Sequence, residues 1–166
     1  VITTDDRIIY SQRPDVTFGF NNTFNYKGFD LSVFLYARLG QWIAYDYNTT
    51  YRINALENGG NVDYWTPENP TNAFPRPNKS KSYTQVTYYS TLKYEDGSFF
   101  KIRDITLGYT FKPELLKHLN LSRLRVYATA KNFFTFSKID NYDPEQGGSI
   151  SFPMTKQLVF GLNVEF

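Results

Sequence analysis

The stretch VTFGFNNTFNYKGFDLSVFLYARL, residues 16–39, alternates apolar and polar side chains on both sides of one Lys-Gly pair. Alternation with a period of two is typical of β-strands that have one apolar and one polar face. Gly28 gives the backbone the freedom that a tight turn needs. The stretch therefore predicts an antiparallel hairpin with strands at 16–26 and 29–39.

The two faces of this predicted hairpin differ strongly in polarity. The apolar face carries Val16, Phe18, Phe20, Phe24, Tyr26, Phe29, Leu31, Val33, Leu35, Ala37 and Leu39, and only Asn22 interrupts it. The other face carries Thr17, Gly19, Asn21, Thr23, Asn25, Asp30, Ser32, Tyr36 and Arg38. One face thus suits an apolar medium, and the other suits water.

The same alternation recurs three times further along the chain. It predicts strands in FFKIRDITLGYTF (99–111), RLRVYATAKNFFTF (123–136) and TKQLVFGLNVEF (155–166). The connections between the five strands alternate between short and long. The longest, residues 46–98, is rich in Asn, Pro, Gly and Ser.

Two architectures accommodate five such strands: a soluble β-sandwich and an antiparallel transmembrane β-barrel. We favour the barrel, because the strands have about the ten residues that cross a bilayer, carry aromatics near their ends and have hydrated opposite faces. An open five-stranded sheet in lipid would leave unpaired backbone groups at both edges. We therefore expect residues 1–166 to be the C-terminal part of a larger all-β barrel.

Barrel strands also predict an orientation. Outer-membrane barrels have short periplasmic turns and long outer loops. We expect residues 27–28, residues 113–122 and Phe166 on the periplasmic side, and residues 46–98 as a long extracellular loop.

Lys101 and Arg103 disturb the alternation of the third strand, since both fall on its apolar face when it is counted from Ile105. Either a β-bulge changes the register, or these cations lie at the membrane rim. A cation facing lipid costs about 2–4 kcal/mol at mid-membrane and little at the rim. We expect the second arrangement.

Composition and motifs exclude several function classes. The absence of Cys excludes disulfide frameworks and zinc fingers, and a net charge of +2 without basic clusters does not suggest nucleic-acid binding. Neither catalytic nor cofactor-binding motifs are present. His118 has no catalytic neighbours in sequence, and Asp140, Asp143 and Glu145 lack the spacing of a calcium loop. We predict no enzyme activity, no cofactor and no metal site.

Four segments carry a resemblance to a known family: YWTPENPTNAFPR (64–76), SFFKIRDITLGYTF (98–111), LRVYATAKNFFTFSKIDNYDPE (124–145) and FGLNVEF (160–166). In this order they resemble the C-terminal end of the SusC/RagA family of TonB-linked outer-membrane transporters. The resemblance covers nearly the whole chain from about Thr17.

This resemblance implies a fold, a location and partners. It implies a 22-stranded barrel in the outer membrane of a Gram-negative bacterium, with a plug and a TonB box that are not in this sequence. It also implies active import of oligosaccharides or peptides, driven by the TonB complex and assisted by a SusD-like surface lipoprotein. A soluble carbohydrate-binding β-domain and a passive porin remain the alternatives.

Three groups of residues are candidates for a specific role. Gly161, Val164 and Phe166 resemble the signal that the barrel-assembly machinery reads, although Val159 replaces its usual polar residue. Tyr64, Trp65 and Phe74 could stack on a sugar, but the Pro-rich segment that holds them favours packing against other loops or the lipoprotein lid. Five polar-face residues could line the transport path, but we expect them to contact the plug: Tyr36, Arg38, Arg125, Tyr127 and Lys131.

Overall fold

Five of the strands that the structure contains are those that the alternation predicts. The structure is a computed structural model that describes residues 3, 5, 7–49, 60–79 and 89–166. Within these ranges the strands are β1 (Val16–Tyr26), β2 (Phe29–Leu39), β3 (Trp42–Ala44), β4 (Tyr94–Asp96), β5 (Phe99–Thr110), β6 (Arg123–Ser137) and β7 (Gln157–Glu165). The long strands form one antiparallel sheet in the order β1-β2-β5-β6-β7, and β3 pairs with β4.

Helical segments are few and short in the described ranges. Two α-helical turns, α1 (Asp46–Thr49) and α2 (Pro113–Leu116), are accompanied by 3-10 turns at Tyr89–Lys93, Lys117–Leu119 and Pro144–Gln146. Among the described residues, none of these helices has the length and apolar character required to span a membrane.

The chain divides into two units. The sheet unit comprises residues 15–39, 98–137 and 154–166, and the loop unit comprises residues 1–14, 40–97 and 138–153. The two long connections between sheet strands therefore belong to the loop unit.

The turn between β1 and β2 has two residues, because Tyr26 pairs directly with Phe29. Lys27 and Gly28 have φ angles of 47° and 90°, the left-handed pair that suits the twist of a two-residue hairpin. A Cβ atom on Gly28 would lie 2.8 Å from the carbonyl oxygen of Thr110 on β5. Glycine is thus required here by conformation and by space.

The registers place the apolar residues of all five long strands on one face. Leu31 of β2 pairs with Leu107 of β5, which pairs with Ala128 of β6, and Ala128 pairs with Phe160 of β7. This face is open: Phe24, Leu107 and Phe160 are 61%, 52% and 77% exposed. A sheet with such a surface requires an apolar medium or partner.

A β-bulge resolves the position of the cations in β5. Leu35 of β2 pairs with Ile102, whereas Phe34 pairs with Asp104, so Arg103 is the extra residue. The shift returns Phe100 and Ile102 to the apolar face and moves Lys101 to the polar one. The preference for an arrangement without a bulge was therefore wrong, because a bulge at Arg103 restores the facial pattern locally. That Lys101 and Arg103 lie at the membrane rim remains a prediction.

Both short connections and the end of β7 lie at the same end of the sheet. The Thr110 N–H donates to the Gly28 carbonyl over 2.8 Å, and the Ser122 N–H donates to the Glu165 carbonyl over 2.8 Å. This shared end agrees with the alternation of short and long connections. That it faces the periplasm remains a prediction.

The loop unit has a small core of its own. Ile43, Tyr45 and Ile139 are buried together, with Tyr47, Tyr142 and Ile150 packed around them. Burial raises the pKa of Tyr45 to about 12. The buried Asn48 donates to the Leu92 carbonyl over 3.0 Å and to Glu95 Oε1 over 2.8 Å, joining α1 to the β3–β4 ribbon.

The predicted loop at 46–98 therefore contains α1, the 3-10 turn at Tyr89–Lys93 and β4. Its residues 50–59 and 80–88 lie outside the described residues. The sequence did not predict the β3–β4 ribbon, because three-residue strands are too short to show an alternation.

We expect Gly28→Ala to destabilise the hairpin by about 1–3 kcal/mol, because alanine must adopt a left-handed conformation and meets the Thr110 carbonyl. For the measurement, samples of the full-length protein are warmed to a series of temperatures before electrophoresis. The temperature at which the band of the folded form disappears is compared between variants. Lys27→Asn is the matched control, since asparagine tolerates φ of 47°. Equal melting of the two variants would contradict the turn assignment.

Candidate functional site

The polar face of the sheet carries an ion pair that crosses a strand. Arg125 of β6 donates from Nε to Asp30 Oδ1 over 2.9 Å and from Nη2 to Asp30 Oδ2 over 2.5 Å. Asp30 is on β2, so the guanidinium group passes over β5, where Gly108 leaves room. The two side chains are only 18% and 23% exposed.

Tyr127 extends this cluster to the last strand. Its ring centre lies 4.9 Å from Arg125 Cζ, within the range of a cation–π contact. The same ring lies over Gly161, its register partner on β7. Side chains of β6 thus contact both β2 and β7 on the polar face.

Further polar contacts continue along this face. Thr106 and Thr129 share a hydrogen bond of 2.9 Å, and Lys131 Nζ lies 3.9 Å from Asp104 Oδ1. Arg38 Nε donates to the Tyr36 hydroxyl over 2.8 Å. The polar-face residues that the sequence singled out are thus held by neighbours within the sheet. Whether they contact a plug remains a prediction.

The second candidate site is a turn-rich segment of the loop unit, residues 61–74, here called the Asp63 loop. The Asp63 carboxylate accepts hydrogen bonds from Asn69 Nδ2 and Thr71 Oγ1, both over 2.7 Å. The backbone closes the loop through a bridge between Tyr64 and Phe74, with the Trp65 N–H donating to the Phe74 carbonyl over 3.0 Å. Asp63 therefore joins two later positions of the loop to its beginning.

The hydrogen bonds to Asp63 have an electrostatic consequence. Donation from Thr71, and then from Asn69, holds the pKa of the Asp63 carboxyl below its ordinary value. The carboxylate consequently stays ionised, and keeps both donors, at any pH above that ordinary value.

The three aromatics predicted for ligand or lid contact differ in exposure. Tyr64 and Trp65 are 42% and 37% exposed, whereas Phe74 is buried at 8%. Trp65 borders a shallow groove of about 380 Å³ that also includes Thr71, Arg76 and Leu92. Tyr64 and Trp65 can therefore meet a partner, whereas Phe74 is buried and joined to both through the backbone.

The remaining candidate residues lie in β7 or in the short turns of the chain. Gly161 and Val164 lie in β7, and Phe166 follows its end at 92% exposure. His118 is exposed in a 3-10 turn, and Asp143 caps the next one by accepting from the Glu145 N–H over 3.0 Å. In the described ranges, His, Cys, Asp and Glu side chains do not cluster in threes to hold a metal.

Sequence reasoning missed Asp63, Asp30, Gly108 and the contact between Tyr127 and Gly161. Their partners come from other strands or from several residues along a loop, so a local pattern could not reveal the pairing. The only signal in the sequence was that Tyr127 and Gly161 both fall on the polar face of their predicted strands. The register was needed to show that they lie opposite each other.

Curated proteins similar to this chain are TonB-dependent receptors. Two from Formosa agariphila are 29% and 30% identical over 188 and 187 residues, covering all of this chain. TonB-dependent receptor SusC of Bacteroides thetaiotaomicron is 30% identical over 174 residues. The chain spans about 18% of the length of the two Formosa agariphila proteins and 16% of SusC. A scan against protein-family models finds no match.

Solved structures similar to this chain belong to the RagAB peptide importer. The "closed-closed" state aligns with a TM-score of 0.77 and 27% identity, and the "open-open" state with 0.72 and 28%. Each alignment covers all of this chain and 19% of the chain in the solved structure.

We expect Asp63→Ala to loosen the Asp63 loop, because Asn69 and Thr71 lose their acceptor. The measurement is hydrogen exchange of peptides covering residues 61–74, with Glu68→Gln as the control for loss of an exposed carboxylate. Because the pKa is lowered, protection in the wild type should persist above the ordinary aspartate pKa of about 4 and fall only at lower pH. Unchanged exchange in Asp63→Ala would contradict this role.

Proposed function

We infer that this chain is a β-barrel segment of a SusC/RagA-type TonB-dependent receptor, and we propose that the protein containing it imports nutrients across the outer membrane of a Gram-negative bacterium. The energy comes from the TonB complex. The substrates are oligosaccharides or peptides, and a SusD-like surface lipoprotein assists their capture. In this proposal the wall segment carries no catalytic function.

The observation that carries the proposal is the exposed apolar face of the sheet. All five long strands contribute apolar residues to this face. The opposite face carries paired charges and hydrogen-bonded hydroxyls. An apolar outside and a polar inside are the arrangement of a barrel wall between lipid and a hydrated lumen. The similarity to TonB-dependent receptors over the whole chain supports the same assignment.

We assign the exposed aromatics of the Asp63 loop to the lipoprotein lid. Tyr64 and Trp65 are presented by a loop that Asp63 and the Tyr64–Phe74 bridge hold in shape. An ordered, partly apolar loop suits a protein partner, since little conformational entropy is lost on binding. The alternative role for these aromatics is stacking on a sugar ring. In that case, removing them should abolish glycan binding by the receptor in the absence of the lipoprotein.

Two other functions make different predictions. A soluble carbohydrate-binding domain would need the apolar face covered by a second sheet, and within the described residues the face is open. A passive porin would share the barrel wall but not the need for TonB. Cell fractionation separates the first from an importer, and energy dependence separates the second.

We expect deletion of the gene to abolish uptake of one labelled oligosaccharide or peptide, and removal of TonB to have the same effect. The assay compares wild type, gene deletion and TonB deletion for both substrate classes. Uptake that survives TonB deletion would establish a porin instead. Recovery of the protein in the soluble fraction would reject the membrane assignment.

We expect Phe20→Arg to block outer-membrane assembly, because arginine facing lipid near the middle of a strand costs about 2–4 kcal/mol. Thr23→Arg, on the polar face of the same strand, should assemble normally. The measurement is the amount of heat-modifiable protein in outer-membrane fractions. Similar yields of the two variants would show that the apolar face does not meet lipid.

Gly161, Val164 and Phe166 remain our proposed barrel-assembly signal. Val164 and Phe166 carry apolar side chains at alternate positions, with exposures of 41% and 92%, so both are accessible to the assembly machinery. Gly161 differs from these two exposed residues, because the Tyr127 ring lies directly against it.

A further inference from the structure

Two glycines of the polar face lie beneath large side chains of β6. A Cβ atom on Gly161 would overlap the Cζ and Oη atoms of Tyr127. A Cβ atom on Gly108 would lie 2.5 Å from Arg125 Nη2 and 2.5 Å from Asp30 Oδ1. Real Cβ atoms do not approach other atoms so closely, so both positions need glycine as long as these side chains stay in place.

Gly19 on β1 shows that this is not a general property of strand glycines. The atoms nearest to a Cβ built on Gly19 are those of the Phe34 ring at 3.7 Å, an ordinary van der Waals distance. Alanine would therefore fit at position 19 without any movement. Gly108 and Gly161 are special because of what covers them.

The side chains that cover the two glycines also contact each other. Asp30 receives two hydrogen bonds from Arg125, and the Arg125 guanidinium lies 4.9 Å from the centre of the Tyr127 ring. Tyr127 then lies on the backbone of β7. The contacts run without a gap from β2, over β5, to β6 and β7.

Such a series of contacts restrains the position of β7 along β6. A two-point hydrogen bond between guanidinium and carboxylate holds Arg125 in one orientation, which in turn fixes the ring beside it. The ring fits over the one residue of β7 without a side chain on that face. A slip of β7 by one residue would place Phe160 or Leu162 under the ring. It would also turn every side chain of β7 to the wrong face.

We propose that Asp30, Arg125 and Tyr127 form a brace over Gly108 and Gly161 that holds β7 in register on β6 while the barrel assembles. Gly161 then acts in assembly by accommodating Tyr127, in addition to any recognition of the strand by the assembly machinery. This inference rests on the proposed barrel function, which the Phe20 and Thr23 variants test separately.

The brace and direct recognition of Gly161 predict different couplings between two positions. If Gly161 serves Tyr127, a smaller side chain at position 127 makes alanine at position 161 harmless. If the assembly machinery reads Gly161 itself, alanine is equally harmful whatever lies at position 127. A double-mutant cycle separates the two.

The experiment uses the full-length gene product carrying Gly161→Ala, Tyr127→Thr or both, with threonine chosen because it suits a strand. Pulse labelling measures how fast new protein becomes heat-modifiable in the outer membrane. We expect Gly161→Ala to slow assembly by about threefold or more beside tyrosine and by less than about 1.5-fold beside threonine. In Gly161→Ala, substrate uptake per assembled barrel should equal that of the wild type.

Two controls complete the test. Gly19→Ala should assemble at the wild-type rate, and the defect of Phe166→Ala should persist when combined with Tyr127→Thr. Equal slowing by Gly161→Ala in both backgrounds would overturn the brace. If Tyr127→Thr alone stops assembly, the cycle is repeated with Gly108→Ala in a background that carries both Asp30→Ser and Arg125→Thr, because both side chains lie within 2.5 Å of the added Cβ. Equal slowing by Gly108→Ala with and without these two side chains would refute the brace.

Discussion

The structure depends on one constraint: the hydrogen-bonding groups of the backbone must be paired within the protein when a surface meets an apolar medium. Antiparallel pairing satisfies this demand for β2, β5 and β6, each of which has a neighbour on both sides. The two-residue turn at Lys27 and Gly28 keeps the pairing continuous from β1 into β2. The apolar face can then remain exposed, because the ladders pair the backbone beneath it. Among the described residues of the sheet, this pairing is interrupted at the Arg103 bulge and ends at the outer edges of β1 and β7.

Pairing of this kind also decides where irregularities are tolerated. The bulge at Arg103 inserts one residue so that Ile102 and Phe100 keep the apolar face, and β6 adjusts beside it with Asn132 at a φ of 58°. The local ladder is interrupted, but the polarity of both faces is kept. In this sheet the polarity of each face is thus maintained even where the strict alternation of residues along a strand is broken.

The polar face shows how side chains add to what the backbone provides. Hydrogen bonds of the ladder join only neighbouring strands, whereas Arg125 reaches across β5 to Asp30. Because the pair is about four-fifths buried, it is better shielded from screening than a surface ion pair. The absence of a side chain at Gly108 leaves the space on β5 through which Arg125 reaches Asp30.

From the amino-acid sequence alone, the five long strands, their two faces and the turn at Gly28 could be predicted, because a period of two and a Lys-Gly pair are local signals. The resemblance to TonB-dependent receptors could also be recognised in four separate segments. The folded arrangement was needed to find the bulge at Arg103, the pairing of β3 with β4, the role of Asp63 in its loop and the position of Gly161 under Tyr127. These features depend on strand register, on partners from other strands or on several residues spread along a loop, and the alternation within one strand carries no information about any of these.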